Sequence, residues 1–249
     1  MTFEFSKKDI DSLRNDVNYY GEVGKKYLSN SDIGVLLRDP KSFRQDRQST
    51  KEMLEGRYFH LLMLEPDKAE DFVRVDASNR NTKIYQNFLE EHKADFALLK
   101  KEAEAIEGLV ATMKSNIRMF EDIYAPSNLY EEPSIKQIGS VMWKGKADIV
   151  CEDKLIDIKT TSNINKFDAS ANLYNYDSQA YIYEQIFGKP LVFYVIDKTS
   201  HVLGIYRPTE QFLDRGKEKV YQAMEVYHTF FGDNPTEDIN QYIVEQELF

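Results

Sequence analysis

The stretch Lys144 to Thr161, KGKADIVCEDKLIDIKTT, constrains this chain most. Apolar and polar residues alternate on both sides of a short polar turn, the pattern of a β-hairpin. With the turn centred on Glu152-Asp153, Cys151 faces Lys154 and Asp148 falls across from Asp157. Opposed residues of an antiparallel pair hold their Cβ atoms roughly 4.5–5.5 Å apart, so two carboxylates there repel unless positive charge sits between them. Lys159 shares the face of Asp157, two residues on. Two acids and a lysine converging on one point match what a divalent cation and an activated water require. The same spacing also recurs by chance, and the turn lacks the Asn-Gly or Asp-Gly pair of the tightest hairpins. A four-residue loop on the same centre keeps the register, whereas a one-residue slip would send the acids to opposite faces.

The rest of the chain supplies the setting. Hydrophobic content of 42% over 249 residues suffices for a sizeable core. No apolar run reaches the length of a membrane span, and the start of the chain has no signal-peptide pattern, so the expected location is cytoplasmic. The single cysteine, Cys151, excludes an internal disulfide and any cluster built on several cysteines. A net charge of −10 argues mildly against a nucleic-acid partner, but from Asp233 onward the chain carries five acids and no Lys or Arg. Arg38, Lys41, Arg44, Arg47 and Lys51 form a local basic series, readable as a phosphate-contacting surface or as a solvated helix face.

Patterning predicts helices near Lys8–Val17, over Asp32–Arg38 (N-cap Ser31 or Asn30, stopped by Pro40) and over Thr50–Leu64. A short strand is expected at Phe72–Val75, then two helices within Thr82–Met119 broken near Gly108. Strands follow at Leu129–Ile138, Val141–Val150 and Leu155–Thr161, with Glu131 and Glu132 opening the first, either as a charged strand end or as a third acidic contribution. Phe167–Phe187 reads as a helix with Tyr176, Gln179, Tyr183 and Ile186 on one face; a glutamine in such a stripe needs partners if buried. Strands at Leu191–Asp197 and Val202–Tyr206 and a helix from Thr209 to Phe231 complete the pattern. The expected fold is α/β, a central mixed β-sheet flanked by helices, with a mainly helical N-terminal half. The expected organisation is a helical region over 1–125 packed on a core over 126–232, then an acidic tail over 233–249. That tail ends in apolar residues, among them Leu248 and Phe249, and either frays or docks on a neighbouring subunit.

Asp148, then Asp157-Ile158-Lys159 with Thr160-Thr161, then Gln179 and Tyr183, resemble the PD-(D/E)XK nuclease superfamily, and more narrowly its phage-type RecE and lambda exonuclease group. YLSNSDIGVLLRDPKSF is similar to that group's opening segment, and EGRYFHLLMLEPD resembles its helix ending in LEP, which puts His60 on a motif position. The resemblance implies Mg²⁺, or Mn²⁺ as a substitute, held by Asp148, Asp157 and the Ile158 carbonyl, with His60 near a second metal or the scissile phosphate; Glu131 or Glu132 is a further candidate ligand from its place at the start of the strand. It implies that Lys159 orients or deprotonates the attacking water, that Gln179 positions that network and that Tyr183 supports it. Ala147 stands in place of the superfamily's proline. The implied activity is exonucleolytic digestion of one strand of linear double-stranded DNA, in phage-type recombination or DNA processing. The implied partners are DNA ends, a single-strand annealing protein and further copies of the chain in a ring, with Arg38, Lys41, Arg44, Arg47 and Lys51 contacting phosphates. An endonuclease on the same fold and a non-catalytic interaction protein are the alternatives.

Overall fold

A computed structural model describes residues 7–45 and 48–244. Arg47 of the basic series and Leu248 and Phe249 of the tail lie outside the described residues, whereas Ile243 and Val244 of the tail are exposed. The chain opens with α1 (Lys7–Ser12) and α2 (Asp16–Tyr20), two short helices where the pattern predicts one. They part because the Asn15 side chain accepts the Val17 amide and starts a new helix. Next comes α3 (Asn30–Arg38), whose N-cap is Ser29 and not Ser31 or Asn30; Asp32 reaches back to accept the Ser29 amide at 2.7 Å. Thr50 caps α4 (Lys51–Leu64), and Pro66 opens the single turn α5 (Pro66–Ala69).

Two two-residue strands, β1 (Arg74–Val75) and β2 (Leu98–Leu99), pair in parallel around α6 (Lys83–His92). The expected break at Gly108 is absent: α7 (Lys100–Ser115) runs straight through it. A Cβ on Gly108 would meet only His201, at 3.9 Å, so the residue needs no special backbone. The break falls earlier, where Lys93 adopts a left-handed conformation after α6, and again at Asn116, which caps α8 (Ile117–Ile123).

The sheet follows as β3 (Leu129–Ile138), β4 (Val141–Val150) and β5 (Leu155–Thr161), matching the expected bounds. The expected single helix after them is two, α9 (Phe167–Leu173) and α10 (Tyr176–Phe187), separated by left-handed Asn175. Then come β6 (Leu191–Asp197), β7 (Leu203–Tyr206) and α11 (Glu210–Phe230), capped by Thr209.

These strands lie in the order β3-β4-β5-β6-β7, antiparallel throughout except for the parallel β5–β6 pair that the α9–α10 crossover connects. Strand β6 is buried along its whole length, as a strand covered on both faces must be. On one face Ile156, Ile158, Val192, Tyr194 and Ile196 pack with Tyr58 and Phe59 of α4, Met113 of α7 and Met119 of α8. On the other, Leu155, Phe193 and Val195 pack with Phe167 of α9 and Ala180 of α10. The helical N-terminal half thus shares a core with the sheet.

Candidate metal centre and cleft

The β4–β5 hairpin has the register inferred from its turn: Val150 pairs with Leu155 and Ile149 with Ile156, and the Cys151 amide donates to the Lys154 carbonyl at 2.9 Å. The ladder then stops one pair short of Asp148 and Asp157. On the other side of β4, Tyr130 pairs with Ile149 and Glu132 with Ala147, but Glu131 and Asp148 are skipped. Glu131 has φ +49°, a left-handed backbone that breaks the ladder locally. Alternation slips there too: Ala147 packs in the core cluster beneath α10, whereas Ile149 packs in the cluster beneath α4. Freed from both ladders, the Asp148 carboxylate accepts the Ile158 amide at 2.9 Å.

His60 of α4 completes the cluster, with Nδ1 3.4 Å from Asp148 Oδ2. His60, Glu131 and Asp148 each offer a ligand atom, all within 4.8 Å of one another. Of the two glutamates, Glu131 is therefore the one at the cluster; Glu132 ion-pairs with Arg14 at 2.6 Å. Asp157 lies outside this triad. Its Oδ1 accepts from Gln179 Nε2 at 2.6 Å, and its Oδ2 lies 2.5 Å from Lys159 Nζ. That Oδ2 is buried without a hydrogen-bond partner of acceptable geometry among the described residues. Gln179 thus holds Asp157 and not Lys159, while the Tyr183 hydroxyl donates to the Lys146 carbonyl at 3.0 Å and braces β4.

The electrostatics follow from burial. Loss of water pushes the Glu131 carboxyl up to about 8, helped by the charge of Asp148. Burial likewise raises Asp148, an effect that nearby Asp157 reinforces and that His60, Lys159 and the Ile158 amide oppose. For Lys159 burial alone would lower the affinity for its proton, but Asp157 and Asp148 outweigh it and hold the side chain as an ammonium above its ordinary range. Buried acids that resist ionisation and an imidazole, converging from three elements, form a donor set that fits a divalent cation. Imidazole beside carboxylates suits a transition ion such as Mn²⁺ better than a purely oxygen set would.

All these groups line one cleft of about 740 Å³. Pattern reasoning missed several of its other walls. Arg57 of α4 lies on the rim one turn before His60 and makes no ion pair or hydrogen bond among the described residues. Val17, Tyr20 and Met53, at 80%, 71% and 57% exposure, form an apolar margin. The ring of Tyr176 lies 5.2 Å from Lys159 Nζ. A cation at i−3 from a motif histidine was the available signal for Arg57.

Among the described residues, Arg38, Lys41, Arg44 and Lys51 of the basic series do not line this cleft. Arg38 donates to the Leu173 carbonyl at 2.5 Å and Lys41 to that of Asn240 at 3.5 Å. Arg44, another left-handed residue, stacks 4.8 Å over Phe43. Lys51 ion-pairs with Glu55 and Glu102 at 3.4 and 3.2 Å.

A mixed sheet with a helix-borne histidine and acids at a broken β-ladder defines a PDDEXK-like domain. Comparison with known families gives the same answer: residues 38–233 match the family described as "PDDEXK-like domain of unknown function (DUF3799)", and the chain belongs to that family. In fold it is similar to a crystal structure from Eubacterium rectale described as a candidate exonuclease, at 14% identity and a TM-score of 0.62, over 99% of this chain and 97% of that one. A second solved structure, SSO0001, covers 80% of this chain and 86% of its own at 13% identity, with a TM-score of only 0.32. Among curated proteins none matches the sequence. No helix among the described residues is long and apolar enough to cross a membrane.

Proposed function

We propose that this protein is a divalent-metal-dependent deoxyribonuclease acting as an exonuclease on linear double-stranded DNA. The observation that carries the reading is the convergence of His60, Glu131 and Asp148 within 4.8 Å, beside the Asp157–Lys159 pair, in an open cleft. A bound Mn²⁺ or Mg²⁺ would supply neutralising charge on the phosphate and a water more readily deprotonated at neutral pH. His60, Glu131 and Asp148 would hold it, with Asp157 and the Ile158 carbonyl as further oxygen donors.

The chain's own residues account for the remaining requirements. The Ile158 amide fixes the carboxylate plane of Asp148, and Gln179 fixes that of Asp157. Lys159, held as an ammonium against Asp157 and beside Tyr176, is placed to orient the attacking water and donate to a phosphate oxygen. Arg57, with no ion pair or hydrogen bond among the described residues, is a cation at the rim for a neighbouring phosphate.

Linear duplex labelled separately at each 5′ and 3′ end, incubated with Mn²⁺ or Mg²⁺, tests the proposal. Release of label in order from one end, abolished by EDTA and absent on closed circular DNA, is the expected result. Cleavage of closed circles would make the protein an endonuclease, and no cleavage with any divalent ion would end the nuclease reading.

A further inference from the structure

The cleft does not end at Arg57. A second cavity of about 380 Å³ adjoins it, and the two share Asp16, Leu54, Arg57 and Leu61 as common walls. Leu54, Arg57 and Leu61 recur at helical spacing on α4, so one helix face forms the threshold, next to the turn that carries His60. Beyond the threshold Phe72, Val73, Ala94 and Phe96 make most of the wall apolar, with Lys68, Asp71 and His92 at its polar part. Both aromatic rings are anchored: Phe72 packs on Tyr58 with centroids 4.7 Å apart, and the Arg80 guanidinium sits 4.5 Å from the Phe96 centroid. Two of its walls are thus rings held from behind, and its size falls in the range of small-ligand sites, roughly 300–1,000 Å³.

We infer that this cavity is a nucleobase subsite: Arg57 holds the phosphate of a nucleotide adjoining the cleaved bond, and that nucleotide's base leaves the stack and seats between Phe72, Phe96 and Leu61. An unpaired cation beside an aromatic-lined recess is the combination by which proteins bind a single strand, a charge tracking the backbone and π-faces taking bases. A base still paired in a duplex shows only its edge and cannot enter a recess. The inference rests on the nuclease reading and deepens it, since the strand presented to the metal centre must be unpaired for at least one nucleotide. Asp16 and Asp71 also face this region, and Asp16 is neutralised by Lys146 at 2.6 Å.

The test uses the whole chain with Mn²⁺ and linear DNA bearing a short unpaired end, intact or with one abasic nucleotide placed in turn along that end. At one position, loss of the base lowers kcat/KM by about tenfold, chiefly through KM, the size expected for one stacked base. Ala94→Trp, which fills the cavity, brings the ratio of intact to abasic substrate to about one. Val73→Trp, from a different wall, does the same should the first variant fail to fold. Arg57→Ala lowers the salt dependence of binding by about one counterion, and Arg57→Lys restores it. Abasic substitution without effect at every position, a penalty that persists in both filled variants, or a salt dependence that Arg57→Ala leaves unchanged overturns the inference while leaving the nuclease intact. Absence of cleavage on every substrate sinks the nuclease reading itself.

Discussion

Replacing Glu131 with glutamine should stabilise the metal-free protein at neutral pH while weakening its response to metal. Burial and Asp148 raise the Glu131 carboxyl from an ordinary 4.5 to about 8. Below pH 4.5 the group is protonated whether the chain is folded or unfolded, and it costs nothing. Between pH 4.5 and about 8 the folded chain keeps a proton that the unfolded chain has lost. Stability therefore falls by about 1.4 kcal/mol per pH unit across that window. At pH 7 the accumulated cost is roughly 3 kcal/mol, and at pH 5 it is under about 1 kcal/mol. Glutamine keeps the shape and never ionises. For a chain of this size each kcal/mol moves Tm by about 2–4 °C, so Glu131→Gln should melt about 6–12 °C above the unaltered protein at pH 7 in EDTA. The difference should shrink to a few degrees at about pH 5. Mn²⁺ should raise the Tm of the unaltered protein more than that of the variant, because the ion relieves the same repulsion. Differential scanning calorimetry of both proteins at the two pH values, with and without Mn²⁺, measures all eight melts. Equal melting at pH 7 in EDTA, or an unchanged gap at pH 5, would refute the argument that Glu131 is held against its own ionisation.

Further outcomes follow from the same site and its surroundings. Asp148→Asn should reduce cleavage by at least a thousandfold without lowering the metal-free Tm, since the amide oxygen can still accept the Ile158 N–H; a large loss of stability would make the acid structural. Gln179→Leu leaves the buried Asp157 carboxylate short of a donor, which should cost about 1.5–3 kcal/mol in urea unfolding and lower kcat about 10–100-fold by analogy with other groups that orient ligands. Lys144, whose proton affinity burial lowers to about 8, is a base destabilised in its charged form. Lys144→Met removes that cost along with the hydrogen bond to the Tyr19 carbonyl, so its stability relative to the unaltered protein should be highest near pH 7 and fall as pH rises from about 8 toward 10.5, the range in which only the unfolded chain still binds the proton. A difference that stays constant across this range would show that packing and the lost hydrogen bond alone are responsible.

Much of this architecture was legible because it obeys the simplest periodicities. Strands β3, β4 and β5 fall where alternation predicts them, and the hairpin register follows from the Glu152-Asp153 turn. What periodicity could not locate are the places where one residue's backbone overrides the pattern. Asn15 starts a second helix by accepting an amide, and left-handed Asn175 divides a run that reads as continuous. Gly108 shows the reverse error, since a glycine in mid-helix costs the chain only about 1 kcal/mol and leaves the helix whole.

The sharpest override is at the site. Simple alternation predicts that Asp148 lies in the ladder directly across from Asp157, with the two acids and Lys159 converging on one point. In the structure Glu131 takes a left-handed backbone, the ladder skips it together with Asp148, and alternation along β4 changes phase there. That irregularity takes Asp148 out of strand pairing and turns it toward Glu131 and His60, leaving Asp157 to Gln179 and Lys159. A regular sheet would place two acids opposite each other and stop there. The interrupted one sorts them into a ligand cluster and a lysine-bearing partner, with separate neighbours holding each. Favouring extended backbone next to that point therefore disturbs the sorting without touching the cluster itself: Glu132→Val, which raises the strand preference beside Glu131, should lower metal affinity, measured by titration with Mn²⁺. Unchanged affinity would mean that the helix-borne His60, and not the break in the sheet, positions the cluster.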